Sequence, residues 1–188
     1  MNIHLPSQLR WVTSLGGPLL LLPASVLKYW TGYQPTNHPA ADCISPRWKG
    51  DPDGPVTDYD RACSVEGYLG LIDVGDAEGL VLGDEPNSTT WVSADGGGLL
   101  VRWVYAEDED GVLRSLHELC DADFGKAELS LPVPTSPLLL FDSASPAGQE
   151  LVEEALAIQM ATGIYDVITA DYRPNTQTQL IIHRLRHQ

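Results

Sequence analysis

The sequence predicts an α+β fold dominated by antiparallel strands, with one main amphipathic helix packed on the sheet and a long Pro-rich loop. Short apolar runs recur along the chain with glycine-containing turns between them, the pattern of hairpins rather than of βαβ crossovers. Residues 108–120 repeat their apolar side chains at helical spacing. Pro35, Pro39, Pro46, Pro52 and Pro55 interrupt any regular element across residues 35–57.

Taken in order, residues 11–14 and 18–22 read as two short strands, with Gly16-Gly17 before Pro18 as a turn or bulge signal. The apolar stretch 15–27 contains Pro18 and Pro23 and is too short to span a bilayer. No small-residue cleavage site follows it, since Lys28, Tyr29 and Trp30 come next, so it reads as a core strand rather than a secretory signal. Pro23 starts a short helix that Gly32 stops. Residues 35–57 form the long loop, with turn chemistry at Asp51-Pro52-Asp53-Gly54 and Trp48 as the large apolar residue able to pin it down.

Thr57 or Asp58 can cap a helical turn that runs through Cys63. Residues 68–74 and 80–82 are strands around Gly75 and Gly79. Residues 89–93 and 99–106 form a second hairpin closed around Asp95-Gly96-Gly97-Gly98. In its second strand Leu99, Val101, Trp103 and Tyr105 share one face at period two, and Arg102 lies on the other. Within 108–120, Val112, Leu113, Leu116, Leu119 and Cys120 fall on one stripe, while Glu109, Asp110, Arg114 and Glu118 lie off it. Residues 127–132, 138–141 and 156–160 are candidate strands, and 150–155 suits a short helix. A final hairpin joins 164–172 to 179–185 around Arg173-Pro174-Asn175-Thr176. With no internal repeat and no linker, residues 1–188 read as a single domain.

Charge narrows the function. There are 26 acids against 11 bases, a net charge of −15, with 43% apolar residues for a core. Nucleic acid and anionic membrane both require a cationic surface, so neither is expected as a partner. Solubility needs a charge magnitude of only about 2–8 in a small domain, and the excess favours a cationic partner whose encounter it would speed.

Cys43, Cys63 and Cys120 form neither a disulfide framework nor a zinc pattern and suit a reducing cytosol, where buried cysteine acts as a small hydrophobe; a Cys43–Cys63 bridge is the alternative. The chain lacks Gly-x-Ser-x-Gly, His-Glu-x-x-His, P-loop and dinucleotide-binding motifs. Its two Asp-x-Asp-Gly stretches would begin EF-hand loops at Lys49 and Ala106, which are not ligands, so no metal and no cofactor is expected. Glu107, Asp108, Glu109 and Asp110 suit a helix start, yet four adjacent acids repel one another, which a cationic partner would relieve; both roles stay open. Asp58 and Asp60 read either as a cap with a local Asp–Arg contact or as a carboxylate pair of an enzyme site that would include Cys63. Trp11, Trp91 and Trp103 suit the core, and Trp48 is a candidate anchor for a partner.

Several blocks together resemble the immunity protein 21 family of bacterial polymorphic toxin systems. They are Trp11-Val12-Thr13-Ser14-Leu15-Gly16-Gly17-Pro18 with the leucine run to Pro23, Asp58-Tyr59-Asp60-Arg61-Ala62-Cys63, and Gly67-Tyr68-Leu69-Gly70. Leu80-Val81-Leu82-Gly83-Asp84-Glu85-Pro86, Gly97-Gly98-Leu99-Leu100-Val101-Arg102-Trp103, Leu140-Phe141-Asp142-Ser143 and the closing strands 165–172 and 180–185 complete them. The resemblance implies a protein that neutralises a cognate toxin domain by direct binding; the cysteine usage and the missing catalytic motifs add the expectation of a cytoplasmic protein that is not an enzyme. The resemblance carries over no site residue, because contacts differ between members.

The expected function is therefore an acidic immunity protein, a monomer or weak homodimer, that occludes the active site of a basic toxin domain. The expected contacts are Glu107, Asp108, Glu109, Asp110, Asp58, Asp60 and Trp48. The alternatives are a small enzyme with a site near Asp58, Asp60 and Cys63, or an acidic ligand-binding or structural module.

Overall fold

A computed structural model describes residues 1–6, 8–34, 57–83 and 85–188. The strands are β1 (Ile3–His4), β2 (Leu19–Pro23), β3 (Leu69–Val74), β4 (Ala77–Leu82), β5 (Thr89–Ala94), β6 (Gly97–Tyr105), β7 (Leu129–Val133), β8 (Leu138–Asp142), β9 (Leu156–Ile158), β10 (Gly163–Asn175) and β11 (Thr178–His187). The α-helices are α1 (Asp58–Cys63), α2 (Glu109–Glu118) and α3 (Gln149–Glu154). The fold is thus mostly antiparallel sheet with a few short helices. Residues 35–56 of the Pro-rich segment, with Trp48 and Cys43, lie outside the described residues.

The chain divides into two compact units, neither a continuous stretch. The first comprises Met1–Val12, Asn87–Val133 and Met160–Gln188; the second comprises Thr13–Pro86 and Pro134–Gln159.

The first unit is built on a sheet of order β1-β5-β6-β11-β10-β7. Its β5–β6 hairpin turns at Asp95-Gly96, as its glycines require. The long β10–β11 hairpin runs past the expected turn: Pro174 and Asn175 remain in strand, and the Asn175 side chain accepts the Gln177 N–H at 2.8 Å. Helix α2 lays Val112 and Leu116 on Val92, Leu99, Val101, Leu180 and Ile182. Asp108 caps it, and the chain turns extended at Leu119, which stays buried while Cys120 faces water. The period-two face of β6 also ends early. A register shift against Gln179 and Leu180 places an extra residue between Trp103 and Tyr105, and Tyr105 is exposed.

The second unit is built on a sheet of order β3-β4-β2-β8-β9. β2 is its central strand, and Leu19, Leu20, Leu21 and Leu22 are all buried, which explains an unbroken leucine run where alternation would mark a half-exposed strand. The strand expected over 18–22 is β2, and the short helix expected after Pro23 is a 3-10 turn over Ala24–Tyr29, so the apolar stretch 15–27 is not one core strand, and Leu15 lies fully in solvent. Residues 11–14 make a single bridge, Val12 to Thr89, and no strand. Gly75 turns the β3–β4 hairpin at φ +62°, with the Tyr29 ring 2.5 Å from where a Cβ would stand.

Trp11, Trp91 and Trp103 are half-buried, and Trp11 and Trp103 pack against the core of the first unit. Trp30 is enclosed in the second unit, its indole N–H donating to the Ser143 carbonyl at 3.1 Å and its ring edge-on to Phe141. The described cysteines, Cys63 and Cys120, are exposed thiols rather than buried hydrophobes. No helix among the described residues is long and apolar enough to cross a membrane.

Candidate partner-binding surface

The four acids at the start of α2 divide by role. Asp108 is the N-cap: its Oδ1 accepts the Gly111 N–H at 2.7 Å and lies 3.9 Å from Arg114. Glu109 turns inward, accepting the Leu9 backbone N–H at 3.1 Å and the Trp11 indole N–H at 2.8 Å. Glu107 and Asp110 are exposed, and their carboxylates make no ion pair or hydrogen bond to another described residue. The run therefore combines helix-start chemistry with two outward charges.

Asp58 and Asp60 are engaged in the second unit's own architecture. Asp60 completes a capping box, accepting the Thr57 N–H while the Thr57 hydroxyl accepts the Asp60 N–H. Asp58 is 4% exposed; one oxygen accepts the Thr31 N–H and hydroxyl, each at 2.8 Å, and the other the Arg61 guanidinium at 2.9 Å. Arg61 also donates to the Asp73 carbonyl, so one helical turn is tied to both the 31 segment and β3. Tyr59, between the two acids, hydrogen-bonds Cys63, and burial in the first place, then Cys63 and the charges of Asp142 and Asp60, push its phenol up to about 12. Such a phenol is no base for a thiol at neutral pH, and the second unit holds no histidine among its described residues.

His183 in the first unit is buried on β11, its Nδ1 3.1 Å from the Thr169 hydroxyl. Burial, and then the charge of Arg102, pull it down to about 3, so it is neutral at physiological pH. No group of three or more His, Cys, Asp or Glu among the described residues could hold a metal ion.

Beside α1 the second unit opens a cleft of about 530 Å³, whose lining includes Gly17, Cys63, Val65, Glu66, Gly67 and Gly83. Small residues make it: the Tyr59 hydroxyl sits 2.5 Å from where a Gly17 Cβ would stand, and a side chain at Gly83 would strike the Gly67 carbonyl. At the mouth, residues 14–18 form a tight loop. The Ser14 hydroxyl donates to the Gly17 carbonyl at 2.6 Å, the Leu15 N–H to Asp142 at 3.1 Å, and Ser143 donates through both N–H and hydroxyl to the Pro18 carbonyl.

A family model described as Immunity protein 21 matches residues 10–178. The chain belongs to the immunity protein 21 family. No curated protein and no solved structure matches it significantly. In this immunity protein the expected contact residues are divided between the units: Glu107, Asp108, Glu109 and Asp110 belong to the first and Asp58 and Asp60 to the second, while Trp48 lies outside the described residues. Sequence reasoning missed the cleft and the exposed Leu15. The available signal was Gly16-Gly17-Pro18, which breaks the apolar run just after Leu15 and separates it from the strand leucines.

Proposed function

We propose that this immunity protein, acting as one domain over residues 1–188 in the bacterial cytoplasm, binds a cognate basic toxin domain and occludes its active site. Membership of the family over residues 10–178 carries the reading. The net charge of −15 supports a cationic partner, and the exposed carboxylates of Glu107 and Asp110 supply an outward anionic surface where α2 begins. Acids steer the encounter and a few apolar anchors hold the complex. Asp108 adds charge to that surface while capping the helix. Asp58 and Asp60 stabilise α1, and Cys63 has a phenol rather than a base as its partner, which favours binding over catalysis.

The test is co-expression with the toxin domain encoded beside this chain's gene. Growth should be rescued, the purified pair should co-elute, and association should slow as salt rises. Turnover of a substrate by the immunity protein alone, lost on changing one side chain, would overturn the reading.

A further inference from the structure

We infer that the cleft beside α1 and the Leu15 loop at its mouth form the toxin-docking surface, with Leu15 as the apolar anchor and the cleft receiving a lysine or arginine side chain of the toxin. This rests on the function proposed above and adds the place and chemistry of the contact.

Leu15 is the first observation. It is 103% exposed, the most exposed of the large apolar side chains among the described residues, yet its backbone is not loose. Its N–H is held by Asp142, the Ser14 hydroxyl closes the loop on the Gly17 carbonyl, and Ser143 anchors Pro18 with two hydrogen bonds. Folding thus orders this backbone while leaving the leucine in water. A side chain presented in this way loses little further freedom on binding, which is what a preorganised anchor requires.

The cleft is the second. Six of its ten described lining residues are glycine, alanine or valine, so among the described residues a long side chain can enter largely against backbone. Among the described residues no lysine or arginine lines it, and Glu66 does. Nearby, Asp60 and Asp142 are close enough to Tyr59 to help hold its phenol protonated, so the same field favours a cation. Arg61, the cation of α1, is already engaged by Asp58 and the Asp73 carbonyl and does not neutralise the cleft. Charge complementarity with the basic partner therefore selects the occupant.

Two exposed thiols provide the experiment. Cys63 lines the cleft, and Cys120 follows α2 in the first unit. Iodoacetamide labelling, read peptide by peptide with and without the inactivated toxin domain, should show Cys63 slowed at least ten-fold and Cys120 unchanged. A Ser64→Cys variant in a Cys63→Ser background reports the same wall should the native thiol react slowly. Leu15→Asp should weaken binding at least 100-fold, mainly through faster dissociation, with an unchanged melting temperature because the side chain packs on nothing. A complex that forms with full affinity while both thiols label as in the free protein would overturn the inference and leave the proposed function standing. Protection of Cys120 alone would also overturn the inference, by moving the interface to the C-terminal end of α2. A toxin domain that neither binds nor is neutralised by the unmodified protein would instead remove the function itself.

Discussion

The Glu109 carboxylate accepts the Trp11 indole N–H at 2.8 Å, tying the first turn of α2 to the N-terminal segment. A second bond, from the Leu9 N–H to the other oxygen, makes the clamp bidentate. Bonds to a charged acceptor contribute about 1.5–3 kcal/mol each when made in a partly buried setting. Glu109→Ala should therefore lower unfolding stability by about 3 kcal/mol in urea titration, the low end for two such bonds because the site is only partly buried. An unchanged midpoint would mean the clamp is absent in solution.

The two neighbouring acids should behave oppositely. Glu107→Gln and Asp110→Asn, made together, should leave stability within about 0.5 kcal/mol, since neither side chain is engaged internally. Association with the toxin domain should slow several-fold at low salt, with little change in dissociation. An unaltered on-rate at low ionic strength would remove this surface from the steering role.

Asp58 tests the choice between architecture and chemistry. Its carboxylate is nearly inaccessible and joins Thr31 to Arg61. Asp58→Ala leaves the Thr31 donors and a half-exposed guanidinium without their acceptor, at a cost of about 2–4 kcal/mol. Calorimetry should register that loss. A variant as stable as the parent would reopen the case for a chemical role.

His183 predicts a pH dependence. In the folded chain its pKa is about 3, against about 6.5 when unfolded. Between these values the unfolded chain takes up a proton that the folded chain refuses. This contribution is therefore fully present above about pH 6.5 and lost as pH falls toward 3, with a slope approaching 1.4 kcal/mol per pH unit. His183→Gln, which keeps a polar partner for Thr169, should flatten the stability curve between pH 7 and pH 4 relative to the parent. Parallel curves for the two proteins would contradict the assignment.

Leu116 is fully buried in the contact of α2 with its sheet. Leu116→Ala should cost about 2–5 kcal/mol, depending on how far the site collapses. A negligible change in denaturation midpoint would separate the helix from the core.

Most strands and helix α2 were legible where periodicity and turn chemistry act over a few residues. Gly75, Gly96 and the stripe of Val112, Leu116 and Leu119 each declare themselves locally. The β6 alternation failed at Tyr105 because a bulge depends on the register of β11, which no window of β6 contains. No linker could be seen between the two units because each is assembled from separated stretches of chain. Trp30 carries little local signal for a related reason: it follows a 3-10 turn without any strand pattern, and the Ser143 carbonyl and Phe141 make its position a core site.

The sequence by itself determined the chemistry available: a chain of net charge −15, rich in antiparallel strands, without a familiar catalytic motif, and similar in its ordered blocks to an immunity family. Only the tertiary structure decided which of the acids face inward, which leucine of an apolar run stays in water, and that residues 16–18, 62–67 and 83 share one cleft. Composition and local periodicity are sums over neighbours in the chain. Burial and hydrogen-bond partners instead depend on residues brought close from up to a hundred or more positions away, as Glu109 to Trp11 and Leu15 to Asp142 are here.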